Sequence, residues 1–502
     1  MPEKEVTMEP ILRADQHKEA DIRTSENGIP SLVLMERAAL AVVDVLEEEE
    51  FDLSDVLVIC GTGNNAGDGA AIARILTERG YGATVFAAGD EEKYSEQMKT
   101  QMMVLTHYPV KVLRGDFPVE GYTLIVDALF GIGMHRPVTG NYAEVIEAVN
   151  DSDLPVVAVD MPSGIHTDTG AVCGVAVRAD LTVTFTTGKA GLYLYPGAAY
   201  AGRVLVRKIG IPVEEDMLRE CPLFSLDETD LKLLPARDES GNKGTFGKVL
   251  VIAGSEEICG AAYLSAAAAL KSGAGMVKIY TDEKNRTALA TMLPEALLSV
   301  YTSKGWKPES LLENLKWADA VLIGPGLGTG EISEKILTTF LKSGWKKTTV
   351  MDADALNILA RHEELISLID FPVTITPHLM EMSRLCDYSV EEIKKELVYV
   401  ASKAAEESGA CVVLKDARTV VALPDGRSFL NLSGCSALST AGSGDVLAGM
   451  ITTLTMQHPD LPVPPQALAV YIHGKCGEMA AEKYSAASAT AGDLLEFIHR
   501  FL

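Results

Sequence analysis

The sequence predicts an α/β protein built as two consecutive domains, 1–216 and 217–502. Three observations carry this. Apolar runs of strand length alternate with helical patterns through both halves. Glycine-rich and polar clusters sit just after those runs, at 61–69, 131–139, 161–164 and 324–328. The alternation lapses into a polar, proline-containing stretch near 209–220, and a new cycle starts at 248.

In the first half, the runs 55–60, 83–88, 123–129, 154–160 and 181–186 read as buried parallel strands, with helical patterns at 70–79 and 142–150. The second half offers strands at 248–253, 277–281, 320–323, 348–351, 373–376 and 411–414. The pair 419–425 and 427–432 reads as a hairpin around Pro424-Asp425-Gly426. No sequence period links the halves, so they are not repeats. Because ligands bind at the carboxyl ends of strands in open α/β sheets, both halves read as binding domains.

Composition narrows the function. Hydrophobic residues at 47% and charged residues at 23% are ordinary for a globular chain. Forty-four Lys+Arg against 70 Asp+Glu give a formal charge of -26, which repels a nucleic-acid backbone. Any phosphate site must therefore be built locally. The eight cysteines lie far apart with no CxxC pair, which fits neither a disulfide framework nor a zinc site and points to a reducing compartment. The first ten residues are acidic without an apolar signal core. No apolar stretch approaches the ~20 residues needed to span a bilayer. The expectation is a cytoplasmic protein with small-molecule partners, and neither a membrane nor a nucleic acid among them.

The first candidate site begins where 55–60 runs into Gly61-Thr62-Gly63-Asn64-Asn65-Ala66-Gly67-Asp68-Gly69. Positions 61, 63 and 66 fit GxGxxA, a fingerprint that is weak alone. Asp68 counts against a dinucleotide loop, since a carboxylate near a helix start competes with a pyrophosphate for the same N–H groups. The plainer reading is a tight turn with Asp68 capping the helix. Two further clusters change the balance: Asp127 ahead of Phe130-Gly131-Ile132-Gly133, and Asp160-Met161-Pro162-Ser163-Gly164. Three oxygen-rich clusters at neighbouring strand ends would converge on one crevice.

Leu34-Met35-Glu36-Arg37-Ala38, the 61–69 loop, Val126-Asp127-Ala128-Leu129-Phe130-Gly131 and the 160–164 segment together resemble the NAD(P)H-hydrate epimerase family over roughly 10–212. Ala66 departs from the glycine many members carry there. The resemblance implies a Rossmann-like three-layer domain. It implies that Asn64, Asn65, Ala66, Gly67 and Asp68, with Gly131, Ile132, Gly133, Met134, His135, Arg136 and Pro137, hold the hydrated cofactor. It further implies that Asn65, Asp127 and Ser163 bind a potassium ion through oxygen, and that Asp160 is the acid/base for opening and reclosing the hydrated ring.

The second candidate site centres on Ser439-Thr440-Ala441-Gly442-Ser443-Gly444-Asp445 ahead of an apolar helix at 446–454. Free N–H groups at a helix start make an anion hole, and Asp445 stands where it could take a proton from a hydroxyl attacking a phosphoryl group. The plainer reading is a glycine turn with Asp445 as a dipole partner. The small-residue helix 260–270 reads as core packing.

These residues resemble the ADP/ATP-dependent NAD(P)H-hydrate dehydratase branch of the ribokinase-like fold, from about 225 to the end. The supporting motifs are KGTFGK at 243–248, Gly260-Ala261-Ala262, Lys271-Ser272-Gly273-Ala274-Gly275, Pro294-Glu295, Gly324-Pro325-Gly326-Leu327-Gly328, Met351-Asp352-Ala353-Asp354, Ile375-Thr376-Pro377-His378, Glu381-Met382 and Leu414-Lys415-Asp416-Ala417. Asn242 and Leu379-Met380 depart from the family pattern beside the pocket. The resemblance implies that Lys415, Asp416, Ala417, Arg418, Thr419, Gly442, Ser443 and Gly444 hold the adenine nucleotide. Ala262, Gly326 and His378 would line the hydrate pocket, with Asp445 as catalytic base. Mg2+ would accompany ADP or ATP, between which the sequence does not choose. The resemblance also implies a homo-oligomer.

Two alternatives stay open on sequence. One is a ribokinase-like kinase of a small vitamin precursor, because a GSGD turn begins both chemistries with phosphoryl transfer. The other is a non-catalytic binding or scaffold role for the first half, against which Asn65, Asp127, Asp160 and Ser163 stand together.

Overall fold

The computed structural model describes residues 8–117, 120–218 and 222–502, and Cys221 lies outside them. The chain divides into two compact units, Glu9–Pro222 and a second that comprises Leu223–Leu502. The division falls six residues beyond the expected boundary. Among the described residues no helix is long and apolar enough to cross a membrane.

The first unit is a seven-stranded parallel sheet: β1 (Val56–Cys60), β2 (Ala83–Ala87), β3 (Lys111–Leu113), β4 (Leu124–Ala128), β5 (Val156–Val159), β6 (Leu181–Phe185) and β7 (Arg203–Arg207). In space the order is β3-β2-β1-β4-β5-β6-β7. The direction of winding reverses between β1 and β4, which opens a crevice at their carboxyl ends. Helices α1 (Ala14–Glu26), α2 (Ser31–Glu48), α3 (Asn64–Glu78), α4 (Glu96–Leu105) and α5 (Asn141–Asn150) accompany it. The central strands are apolar except for Asp127 near the carboxyl end of β4, because both faces are covered: one by α2 and α3 with Val42, Ala70 and Ile72, the other by α5 with Val145 and Ile146. Short or edge strands such as β3 and β7 carry polar residues and show no continuous apolar run, so the pattern misses them.

One local expectation needs correction. The helix expected at 70–79 begins six residues earlier, at Asn64. Gly63 is extended at its N-cap, and 64–69 forms the opening turns rather than a loop. Asp68, five residues in, caps nothing.

The second unit holds β8 (Leu223–Ser225), β9 (Lys248–Ile252), β10 (Met276–Asp282), β11 (Leu297–Tyr301), β12 (Ala320–Ile323), β13 (Thr349–Met351), β14 (Val373–Ile375), β15 (Cys411–Leu414), β16 (Val420–Ala422) and β17 (Ser428–Leu430). Their order is β8-β17-β16-β15-β14-β13-β12-β9-β10-β11. Strands β9 to β15 run parallel, and β15-β16-β17 is an antiparallel meander whose last turn is the expected hairpin. Against it pack α6 (Gly260–Lys271) and α9 (Ser443–Gln457), with α7 (Asp354–Arg361) and α8 (Leu379–Leu385) between them in sequence and α10 (Pro465–Tyr484) after. The alanines of α6 admit α9 so closely that a Cβ on Gly449 would fall 2.2 Å from Ser265 O.

Candidate active sites

In the first unit, β1, β4 and β5 are immediate neighbours, and Asp127 pairs in register with Ile59 on one side and Ala158 on the other. The three polar clusters therefore meet at one edge. Asp127 is fully buried. Its Oδ1 accepts from Ser163 Oγ at 2.6 Å and from the Leu129 N–H at 3.2 Å, and its Oδ2 accepts from the Ser163 N–H at 2.8 Å. The Phe130 N–H donates to Ser163 Oγ at 2.9 Å. Burial raises the Asp127 carboxyl to about 6 against these hydrogen bonds. The Asn65 amide nitrogen is buried with no hydrogen-bond partner, and its carboxamide borders Gly131. Gly61 lets the chains close up, since a Cβ there would fall 2.2 Å from Leu129 O.

Asp160 follows β5 in the left-handed region, at φ 69°. Lys189, 1% exposed, places Nζ 2.6 Å from Asp160 Oδ1 and 2.6 Å from Thr184 Oγ1, and Thr184 donates to the same Asp160 oxygen at 3.2 Å. His17 Nε2 lies 3.1 Å from Thr187 Oγ1, and burial followed by the Lys189 charge holds the ring well below its usual range. Two more carboxyls face this cluster. Burial, then Asp160 and Asp21, lifts Asp68 well above the usual carboxylate range. Asp21 keeps one side open to solvent, and the walls around it, then Asp160, lift it to about 6 against the pull of Lys189. His17, Asp21, Asp68, Asp160 and Lys189 line a cleft of about 680 Å³.

The cleft takes Asn64, Asn65, Asp68, Gly131, Ile132, Gly133, Met134 and Asp160 from the expected residues. It does not take Ala66 and Gly67, which are buried; Gly67 faces Met35 beneath α3. A helix beginning at Asn64 turns them inward. His135 opens on a smaller cavity of about 350 Å³ beside the cleft, where it meets Arg13, His166 and Asp168. Arg136 reaches back to His135 at 3.3 Å, and Pro137 is exposed. Sequence reading missed His17, Asp21 and Lys189. Only the TTGK run after β6 offered a signal, as a lysine at a strand end.

In the second unit the carboxyl ends of β12 to β15 form the floor. Gly442, at φ 90°, caps α9, and the N–H groups of Gly444 and Asp445 stand in its first turn, where no helical carbonyl can meet them. The Ser443 N–H instead closes a turn onto Thr440 O at 3.3 Å. Beneath it, His473 Nε2 lies 3.0 Å from Ser443 O, and burial lowers that ring to about 4, so it is a neutral donor. Lys415 bonds Asp352 Oδ1 at 2.8 Å, with Asp352 fully buried, and its Nζ lies close enough to Gly444 that a Cβ there would be 3.3 Å away. Burial works to lower the Lys415 ammonium, but Asp352, Glu381 and Asp445 outweigh it. Burial, then Asp352, raises Asp445 to about 7 against the pull of Lys415.

Other expected residues divide. Gly326, at φ 58°, faces Ile258 and Ala261. Ala262 is fully buried, so its side chain cannot line a pocket; only its N–H, in the first turn of α6, is placed to act. His378 is the N-cap of α8: its Nδ1 accepts from the Met380 and Glu381 N–H groups at 3.1 and 3.3 Å, while half of its side chain stays exposed. Asp416 and Ala417 are exposed, Thr419 is half-buried, and Arg418 donates to Leu432 O at 3.0 Å. The sequence motif contained Asp352 without giving it a role. That role shows only when β13 and β15 come within reach of one another.

Two α/β units, each with charged groups at the carboxyl ends of its parallel strands and the second with free N–H donors beside them, define a two-site enzyme of the nucleotide-handling class. Residues 249–500 match the family model of NAD(P)H-hydrate dehydratase, and 31–191 match that of the YjeF-related protein N-terminus. The chain is 36% identical over 506 residues to the bifunctional NAD(P)H-hydrate repair enzyme Nnr of Moorella thermoacetica, covering 95% of this chain and 93% of that one. It is 36% identical over 508 residues to the enzyme of the same name from Thermofilum pendens, covering 98% and 96%. A ribokinase-like superfamily protein from Enterococcus faecalis V583 superposes with a TM-score of 0.50 at 27% identity, covering 56% of this chain and 95% of that one. The chain belongs to the family of bifunctional NAD(P)H-hydrate repair enzymes, which join an epimerase to a dehydratase. End-to-end likeness to such enzymes displaces the vitamin-precursor kinase and the scaffold readings.

Proposed function

We propose that the cleft at β1, β4 and β5 epimerises the hydrated cofactor and that the α9 turn with Lys415 dehydrates the S form. The observation that carries the first assignment is the Lys189–Asp160 ion pair facing a cleft walled by the Gly131 loop. There Asp160 exchanges the proton of the hydrate's hydroxyl, while Asn64, Asn65, Asp68 and Gly131 to Met134 hold the ring.

Asn65, Asp127 and Ser163 would hold a potassium ion. Their amide, carboxylate and hydroxyl oxygens suit a hard cation, with one formal charge among them, and the unpartnered Asn65 amide is free to turn its oxygen inward. Such an ion would supply positive charge to the site. In the second unit Asp445 takes the proton of the 6-hydroxyl, whose oxygen attacks the terminal phosphoryl group of ADP or ATP. The Gly444 and Asp445 N–H groups and Lys415 meet the charge that develops on it. Departure of phosphate from C6, with loss of a proton from the neighbouring C5, then restores the dihydronicotinamide. Among the described residues no three acidic, histidine or cysteine side chains form a metal cage, which suits Mg2+ carried on the nucleotide phosphates. The free cysteines suit a cytoplasmic setting.

Incubation with hydrated NADH and either nucleotide tests both halves. NADH absorbance should return, from the S form at once and from the R form through epimerisation. Failure with both ADP and ATP rejects the reading.

A further inference from the structure

The epimerase reading gives Asp160 one proton to move, yet opening a hydrated ring moves two. The hydroxyl loses a proton and the ring nitrogen gains one. We infer that Asp21, on α1, is the second acid/base of the epimerase and works opposite Asp160 on the ring nitrogen.

The placement comes from the helix. His17 and Asp21 are four residues apart on α1 and share one face, a turn from each other. His17 is anchored to Thr187, after β6, so that face lies along the cleft containing Lys189 and Asp160. The start of α1 is tied down independently: the Ala14 N–H donates to Asp168 Oδ1 at 2.9 Å, and the Gln16 amide donates to Met217 O at 2.7 Å. The charged and titratable groups facing Asp21 are Asp160 and Lys189 from the strand ends, Asp68 from α3, and His17, Lys18 and Glu26 from its own helix. Lys189 bonds Asp160 directly at 2.6 Å, while Asp21 has no cation bonded to it and feels Asp160 as a like charge. A base and an acid thus face one cleft, set apart by one lysine.

The step balances without a co-reactant. Asp160 takes the hydroxyl proton as the carbonyl forms and the carbon–nitrogen bond breaks. That bond's electron pair goes to the ring nitrogen, which takes the proton of Asp21. The freed aldehyde turns about its single bond. The nitrogen then attacks the opposite face, returning its proton to Asp21, and the oxygen recovers the proton held by Asp160.

This inference rests on the epimerase reading, and the test separates the two. Full-length wild type and Asp21→Asn are given R-hydrate and nucleotide, with S-hydrate as the parallel substrate and the spontaneous conversion subtracted. Asn keeps the shape of Asp but cannot exchange the proton. Asp21→Asn should lower kcat for R-hydrate about 10²-fold or more with KM little changed, and turn over S-hydrate at the wild-type rate. Wild-type epimerisation should fall as pH rises and Asp21 loses its proton, and this limb should be missing from the residual activity of Asp21→Asn. Asp21→Glu should recover part of kcat, which a purely structural carboxylate would not require. A wild-type kcat in Asp21→Asn overturns the inference and leaves the epimerase reading intact. Wild type that fails to convert R-hydrate overturns the reading itself. Should Asp21→Asn not fold, the wild-type pH profile decides, and a flat alkaline side overturns the inference.

Discussion

Lys189 Nζ sits 2.6 Å from Asp160 Oδ1 with 2% of its side chain exposed, so the first site is organised around one buried ammonium and the carboxylate it holds. Removing either member strands the other charge, and burial makes that costly. Lys189→Met should destabilise the first unit by about 3–5 kcal/mol. It should also abolish R-hydrate conversion while S-hydrate dehydration continues. Urea denaturation followed by both assays checks this. Equal loss of the two activities would show that Lys189 matters to the whole chain rather than to the cleft.

Asp445 provides a pH test in the second unit. Its carboxyl is raised to about 7, mainly by burial and then by Asp352. A general base must be ionised, so dehydration of S-hydrate should climb as pH rises through about 7 and level off above it. Asp445→Asn should be slower by about 10²-fold or more on the plateau above pH 7, and its profile should lack that rise. The sign for stability is opposite. The folded state keeps a proton that the unfolded chain releases near 4, so the contribution of Asp445 is greatest below about 4 and declines as pH rises to 7. Activity and stability should therefore diverge over that window.

The turn that carries Asp445 depends on Gly442, where φ is 90° and a Cβ would meet Leu264 Cδ1 at 2.4 Å. Gly442→Ala combines a left-handed backbone with a steric clash, and a loss of about 1–3 kcal/mol is expected. Differential scanning calorimetry should show the second unit melting earlier, with epimerisation retained. An unchanged melt would mean that Leu264 moves aside without cost.

What the sequence shows and what it hides follows from range. The central strands were legible because a strand covered on both faces must be apolar throughout, as in 56–60 and 320–323. The GSGD turn was legible because glycines at a helix start have a local cause. Lys189 and Asp352 were not, because each acquires meaning from a partner 29 or 63 residues away that only sheet order brings near. The burial of Ala66, Gly67 and Ala262 was hidden for another reason. They belong to recognisable motifs, but a helix has an inside, and no motif says which members face it.

Asp127 and Ser163 give the last prediction. Ser163 is fully buried; its hydroxyl donates to Asp127 Oδ1 at 2.6 Å and accepts from the Phe130 N–H at 2.9 Å, which ties the 131–134 loop to the sheet edge. Ser163→Ala leaves the Phe130 donor unmatched and takes one acceptor from the proposed cation site. A cost of about 1–3 kcal/mol follows for the unmatched group alone. Occupancy by a cation adds stability in proportion to the logarithm of its concentration over its dissociation constant. Potassium chloride should therefore raise the wild-type melting temperature above that in equal lithium chloride, and the difference should shrink in Ser163→Ala and in Asp127→Asn. Equal ionic strength in the two salts removes general screening from the comparison. The same melting temperature for wild type in both salts would refute the cation assignment, while the 2.6 Å hydrogen bond would keep its structural role.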